Sequence, residues 1–218
     1  MICLSIANIS LKKCLSLLKE VECAEIRLDK LKLTEQEIVM VFSSHKNLIA
    51  TNRKMNTTES VEQQNKRVKE LEIAINSGAA FVDLDIEESA EIKKHVADVA
   101  KKKGTKIIIS YHNFDNTPPE AQLIEIVQKC NNEHVDLVKI ACQANNKRDS
   151  ALLLGLLGKF DNLLVIGMGE KGQITRIVAP LLGSKLTFAS ISKENTTASG
   201  QMPYKKLKKI MSQLEGLE

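Results

Sequence analysis

A lysine inside an apolar, strand-like run and a histidine closing the run before it are the residues best placed to do chemistry. Lys139 stands in Asp136-Leu-Val-Lys-Ile-Ala-Cys142, flanked by Val138 and Ile140. Burial there disfavours the ammonium and lowers the pKa of the amine, which makes it a nucleophile able to form an imine with a ketone. The run Ile107-Ile-Ile-Ser-Tyr-His112 ends in an imidazole, a group that titrates near neutrality. If the two runs are neighbouring parallel strands, amine and imidazole lie side by side. Each has an ordinary explanation alone, since lysines snorkel to water from strand ends and histidine is a common polar terminus. Their joint occurrence favours chemistry.

What must position them is a regular alternation of short Ile/Val/Leu runs with helical patterns. Strands are expected over 2–7, 23–29, 48–53, 81–87, 106–112, 137–141, 163–168 and 186–190. Helical periodicity occupies 60–76, 88–102, 119–131, 146–157 and 175–182, with a last helix over about 203–214. Strands alternating with helices imply right-handed crossovers and a parallel sheet, and eight such units close into a barrel. The fold class read here is α/β, a (β/α)8 TIM barrel, as a single domain over 1–218. A doubly wound open sheet is disfavoured, because no Gly-x-Gly-x-x-Gly follows a first strand and no phosphate-loop lysine motif occurs. Gly167, Gly169 and Gly172 lie close together, in a spacing too common to carry a motif.

Composition narrows the function classes. Thirty-one basic against 27 acidic residues leave a net charge of +4, an almost balanced surface. The clusters Lys101-Lys-Lys103 and Lys205-Lys-Leu-Lys-Lys209 fall on helix ends or faces, where cations suit the dipole and water. With aromatics at 3%, base stacking has little to work with, and no nucleic-acid partner is expected. No apolar run approaches the roughly 20 residues that span a bilayer, so no membrane partner is expected. Met1-Ile-Cys-Leu-Ser-Ile-Ala7 reads as a strand rather than a leader, and a cytoplasmic location is the expectation. The five cysteines, Cys3, Cys14, Cys23, Cys130 and Cys142, form no Cys-x-x-Cys pair and read as reduced, buried thiols. The four histidines show no ligand spacing with them, so no metal site is expected.

A barrel carries its active site at the C-terminal ends of its strands, and the polar residues there form a set. Glu25, Arg27 and Asp29 alternate along the second strand, and Arg53 closes the third. Asp83, Asp85 and Glu87 alternate along the fourth, His112 and Lys139 come from the fifth and sixth, and Arg176 follows the seventh. Glu25 with Arg27 could be a simple ion pair and Asp85 a solvated strand end. Together they describe a pocket in which fixed guanidiniums hold an anion, most simply a carboxylate, and an amine meets a carbonyl.

Six segments in order along the chain carry a more specific message. Glu25-Ile-Arg27-Leu-Asp29, Asp83-Leu-Asp85, Ser110-Tyr-His-Asn-Phe114 with Thr117-Pro118, Val138-Lys-Ile-Ala141, Met168-Gly-Glu-Lys-Gly172 with Thr175-Arg176, and Ala198-Ser-Gly-Gln201 resemble the signature of the type I 3-dehydroquinate dehydratases. The resemblance implies a (β/α)8 barrel, usually dimeric, that dehydrates 3-dehydroquinate to 3-dehydroshikimate in the shikimate pathway without a cofactor. It implies that Lys139 forms a Schiff base with the substrate ketone. His112 is then the general acid/base, taking the proton beside the imine carbon and protonating the departing hydroxyl. Glu25, Arg27, Arg53, Arg176, Thr197 and Gln201 would bind the substrate's hydroxyls and carboxylate, and Asp85 would orient and tune the histidine.

The chain departs from that pattern in three places. Asp85 stands where the family usually has glutamate, and a shorter carboxylate reaches His112 through water or shifts its pKa. Met55-Asn-Thr-Thr-Glu59 replaces a common Glu-Gly-Gly loop after Arg53, so that edge of the pocket is expected to differ in shape. Thr197 and Ser199 replace a serine and a proline in the lid; threonine keeps the hydroxyl, and losing proline costs loop rigidity. Two rival readings remain. One is another Schiff-base class I lyase, such as an aldolase of phosphorylated sugars, which needs a phosphate site after strands seven and eight. The other is a catalytically silent barrel binding a small carboxylate. A homodimer is expected through an exposed apolar helix face, such as that of the last helix.

Overall fold

The structure, a computed structural model, describes residues 1–54, 58–132 and 135–214. Eight strands, β1 (Ile2–Ile6), β2 (Ala24–Arg27), β3 (Leu48–Thr51), β4 (Phe81–Asp85), β5 (Lys106–Asn113), β6 (Leu137–Gln143), β7 (Leu163–Met168) and β8 (Thr187–Ala189), pair in the order β7-β6-β5-β4-β3-β2-β1-β8. All the ladders are parallel. The fold is the (β/α)8 TIM barrel read from the sequence, nearly closed, with its seam between β7 and β8.

Helices fill the crossovers: α1 (Leu11–Leu18), α2 (Leu28–Leu31), α3 (Glu35–Ser43), α4 (Val61–Asn76), α5 (Ala90–Lys103), α6 (Glu120–Asn131), α7 (Lys147–Gly155), α8 (Gly169–Leu181) and α9 (Tyr204–Leu214). Their starts are chemically marked. Thr34 with Glu37, Ser60 with Gln63, and Asn146 with Asp149 form capping boxes that satisfy the orphan amides of α3, α4 and α7. Each such cap is worth about 1 kcal/mol.

Strand alternation divides the apolar residues into two bodies. Leu4, Ile26, Ala50, Val82, Ile109, Ile140 and Val165 face outward and pack beneath the helices. Cys3, Cys23, Ile49, Ile108, Leu137, Leu164, Leu186 and Phe188 face inward and fill the barrel. Side chains of the inward parity one step nearer the strand C-termini are polar and still buried: Ser5, Glu25, Thr51, Asp83, Ser110 and Lys139. An apolar floor therefore carries a polar layer.

Several boundaries differ from the sequence reading. β2 stops at Arg27 because Leu28–Leu31 coils into a one-turn helix, so Asp29 is helical. β3 stops at Thr51 and Arg53 stands in the loop beyond it. β5 and β6 run on to Asn113 and Gln143, paired from Ile108 with Leu137 to Asn113 with Cys142. α8 begins at Gly169, well before 175, because Gly167 and Gly172 let its first turn lie directly on β7: a Cβ on Gly172 would stand 2.3 Å from the Gly167 carbonyl carbon. The apolar face of α9 is turned inward, burying Leu207 and Met211. Exposed apolar side chains lie instead along α8 and its C-cap, at Ile174, Leu181 and Leu182, and on α3, at Val39 and Met40. All five cysteines are buried free thiols. Among the described residues no helix is long and apolar enough to cross a membrane.

Candidate active site

Lys139 is buried at mid-barrel on β6, and its company is not purely apolar. Its Nζ donates to Asp83 Oδ2 at 3.0 Å, lies 3.7 Å from Glu25 Oε1, and sits 4.5 Å from the centroid of the Phe188 ring. Register explains the meeting. Ser110 is the β5 partner of Lys139, and Asp85 is the β4 partner of Ser110. The inward residues of β4, β5 and β6 thus form a stepped row beneath the strand ends.

Two carboxylates compensate the buried ammonium, and each is held by other donors. Asp83 Oδ1 accepts from Arg53 at 2.5 Å and from Ser110 Oγ at 2.7 Å. Burial pushes the Asp83 carboxyl upward, but Arg53, Lys139 and His112 outweigh it and hold the pKa far below the ordinary carboxylate range. Glu25 accepts from Ser5 Oγ at 2.5 Å and Thr51 Oγ1 at 3.0 Å. Burial raises its pKa too, and Lys139 and Arg27 bring it below the usual value. Both acids are therefore anions at neutral pH.

His112 lies on the rung above, paired with Ala141 rather than level with Lys139. Its Nδ1 donates to Asp85 Oδ2 at 3.3 Å, a direct bond where bridging water was one expectation for the shorter side chain. That bond fixes the proton on Nδ1 and leaves Nε2 as the free base of the neutral ring. Asp85 is itself anchored, Oδ1 accepting from the Glu87 amide at 3.0 Å and Oδ2 facing Arg53 at 3.6 Å. Burial lowers the His112 pKa, Asp85 raises it, and Arg53 with Lys139 lowers it, for a net value below normal. Phe114 stacks on the imidazole with centroids 6.0 Å apart.

The remaining predicted residues fall into two groups. Arg27 is turned onto Asp29, donating through Nε at 2.9 Å and Nη2 at 2.7 Å, while still lining the pocket. Arg176 is 1% exposed and has no acid partner among the described residues. Its Nη1 donates to the Phe188 carbonyl at 3.2 Å, Nη2 to that of Ser199 at 3.4 Å, and Nε to nothing. Burial alone lowers its pKa to about 10. The lid joins in through a relay: Gln201 Nε2 donates to Thr197 Oγ1 at 2.9 Å, Thr197 meets Ser5 Oγ at 2.8 Å, and Ser5 donates to Glu25.

Lys139, His112, Asp85, Glu25, Arg27, Arg53, Arg176, Thr197 and Gln201 thus all face one cavity of about 420 Å³, large enough for a small molecule. Sequence reasoning passed over Ser5, Thr51 and Ser110, hydroxyls that hold Glu25 and Asp83, and gave Asp83 no role against Lys139. Inward parity was the available signal, since each alternates with buried apolar neighbours. Of the predicted departures, residues 55–57 lie outside the described residues. Among the described residues no cluster of side chains could hold a metal ion.

A barrel with a charged, lysine-bearing cavity at its strand C-termini defines the class, an α/β-barrel enzyme. The chain belongs to the type I 3-dehydroquinase family, whose model matches residues 2–218, and is a hydro-lyase of that family. It is 34% identical to the 3-dehydroquinate dehydratase of Methanococcus vannielii over 222 residues, covering 99% of this chain and 100% of that protein. With the enzyme of the same description from Methanocaldococcus jannaschii it shares 35% over 217 residues, 96% and 97% of the two chains. The crystal structure of type I 3-dehydroquinate dehydratase from Clostridium difficile superimposes with a TM-score of 0.86 at 24% identity, over 100% of this chain and 93% of that one. The resemblance drawn from six short motifs holds along nearly the whole chain.

Proposed function

We propose that this chain dehydrates 3-dehydroquinate to 3-dehydroshikimate in the shikimate pathway, through a Schiff base on Lys139 and with His112 as general acid/base. The observation that carries the reading is the convergence on one cavity of a buried amine, an imidazole and a buried guanidinium, the imidazole Nε2 free and the guanidinium without an acid partner among the described residues. Lys139 adds to the substrate ketone while two protons of its ammonium pass to the ketone oxygen, which leaves as water, so that the positive charge stays on the iminium. The iminium withdraws electrons and acidifies the adjacent C–H, whose proton His112 Nε2 takes. The ring then returns that proton to the departing hydroxyl, which leaves as water, and hydrolysis of the imine releases product and restores the amine. Arg176 binds the substrate carboxylate. Asp83 and Glu25 neutralise the iminium, which keeps a positive charge where the ammonium was.

The same geometry argues against a sugar-phosphate site. Lys185 precedes β8 at the opposite end of the barrel, its carbonyl accepting from the Met1 amine at 3.2 Å, and the Gly169 amide is taken by the Ser199 carbonyl at 3.2 Å. The proposed enzyme is a single-domain, cofactor-free, cytoplasmic homodimer, with the exposed stripe on α8 as the pairing surface. Intact-mass spectrometry after incubation with 3-dehydroquinate and borohydride tests the chemistry. A reduced adduct mapped to Lys139 is the expected result; a folded protein that turns over substrate without a trappable adduct overturns the Schiff base.

A further inference from the structure

Behind the site, on the side away from the cavity, lies a buried cluster that the reaction itself does not use. Arg67 projects from the middle of α4 and is only 5% exposed, an unusual position for a guanidinium on a surface helix. Its Nε and Nη2 donate to the two carboxylate oxygens of Glu59 at 2.9 and 2.8 Å, and its Nη1 meets Glu88 Oε2 at 2.7 Å. The bidentate fork fixes orientation as well as charge, and both acids hold the guanidinium pKa well above normal against the cost of burial. Glu59 belongs to the segment between β3 and α4, Glu88 to the turn between β4 and α5.

Two links lead from this turn of α4 back to the site, one through Glu88 and one through Asn52. The Glu88 amide donates to the Asp85 carbonyl at 3.0 Å, closing a turn in which the Glu87 amide anchors Asp85 Oδ1. That anchorage aims Oδ2 at His112. On the other side, Asn52 Nδ2 donates to the Arg67 carbonyl at 3.3 Å and to Glu70 Oε2 at 2.7 Å, tying the residue before Arg53 to the same turn of α4. One helical turn thus holds the exits of β3 and β4, and hence Arg53 and the Glu87 amide, two of the groups that contact Asp85.

We infer that Arg67 is a positioning residue for the His112–Asp85 pair, acting through Glu88 and the turn between Asp85 and Glu88, and not by touching the substrate. The inference rests on the proposed role of His112 only for its effect on rate. The alignment of the pair is a property of the free protein and can be read without turnover.

The test is a titration of ring-labelled His112 by NMR in the substrate-free protein, beside the pH profile of kcat/KM, for Arg67→Met, Arg67→Lys and Lys69→Ala. The charged groups facing His112 are Asp85 and Asp83 from β4, Arg53 from the loop after β3 and Lys139 from β6. Losing the Arg67 charge alone would raise the histidine midpoint, by removing a distant cation. Losing the alignment of Asp85 lowers it, because the nearest anion retreats. The two effects have opposite signs, and Arg67→Lys keeps the charge while losing the fork. The expected result is a lower midpoint in both Arg67 variants, a matching shift of the acid limb, and a fall in kcat/KM. Lys69→Ala, which removes an exposed cation of the same helix paired with Glu35 of α3, leaves both unchanged. A folded Arg67→Lys protein with an unmoved or raised midpoint overturns the inference, even if its melting temperature falls. A lowered midpoint in an enzyme that proves inactive on 3-dehydroquinate sustains it while removing the proposed substrate.

Discussion

The two sides of the barrel mouth are built on opposite principles. From β2 to β6 every buried charge is answered: Lys139 by Asp83 and Glu25, Asp83 by Arg53 and Ser110, His112 by Asp85. From β7 to β8, among the described residues, the one buried charge, Arg176, touches only backbone carbonyls, and its Nε has no partner. The first side lies where continuous ladders hold neighbouring side chains in register; the second lies at the seam, where β7 and β8 do not pair. The difference separates two tasks. Proton transfer and covalent chemistry need groups fixed in advance of the substrate, whereas an anion is best bound by a cation that has nothing else to bind.

Substitutions should separate the sides, and the paired side yields the largest effects. Lys139→Ala removes the nucleophile and should cut turnover by several orders of magnitude while abolishing borohydride-trappable adduct. His112→Ala should lower kcat by roughly 10²–10⁴-fold, the usual worth of a positioned acid/base, while the imine still forms and accumulates. Single-turnover kinetics with mass detection distinguishes the two. Adduct on another lysine in Lys139→Ala would break the assignment.

Across the seam, Arg176→Met should act on binding. Charge-assisted hydrogen bonds to a buried ionic group are worth roughly 1.5–3 kcal/mol. Loss of the guanidinium is therefore expected to reduce kcat/KM by about 10–150-fold, mostly through KM. Steady-state kinetics reads the split, and a pure kcat defect would show that the carboxylate is held elsewhere. A smaller effect is expected at the lid. Gly200 has φ +78°, and a Cβ there would stand 2.3 Å from the Gly169 carbonyl oxygen. Gly200→Ala should hold the lid off α8, raising KM by about 5–30-fold, in line with roughly 1–2 kcal/mol for left-handed strain in a loop that can shift. Unchanged KM would mean that the lid need not seat there.

The legible part of the molecule was the part governed by alternation. Period-two patterning placed Glu25, Asp83, Asp85, His112 and Lys139 on inward-facing positions, and the strand–helix rhythm supplied the barrel. What was not legible depended on partners distant in sequence. Nothing near Asp29 announces that a one-turn helix will fold its carboxylate onto Arg27, and nothing near Ser5 links it to Thr197. The clustered glycines were read as a spacing too common to carry a motif, and their use, letting α8 lie on β7, needs the packing to be seen. The exposed apolar stripe was expected on the last helix; only the docking of α9 shows that its apolar face is spent on the core and that α8 keeps one.

The smallest expected effect lies in stability rather than rate, and it carries the comparison down to a single buried group. Because burial lowers the His112 pKa below its ordinary value, the unfolded chain binds a proton there more readily than the folded one. Stability from the neutral ring is therefore complete above about pH 6.5, the unperturbed histidine value, and declines as the pH falls through it. The carboxylates act in a lower window: Asp83, Glu25 and Asp85 have depressed values, so their contribution persists until the pH falls below about 4. Melting temperatures of the parent and of His112→Gln, measured between pH 7.5 and 5.5, isolate the histidine, since every other group titrates alike in both. The parent should lose the greater part of the difference between them on the acid side. Parallel curves would mean that Asp85 offsets the desolvation of His112 in full, and that the paired side is balanced at this position as completely as at Asp83.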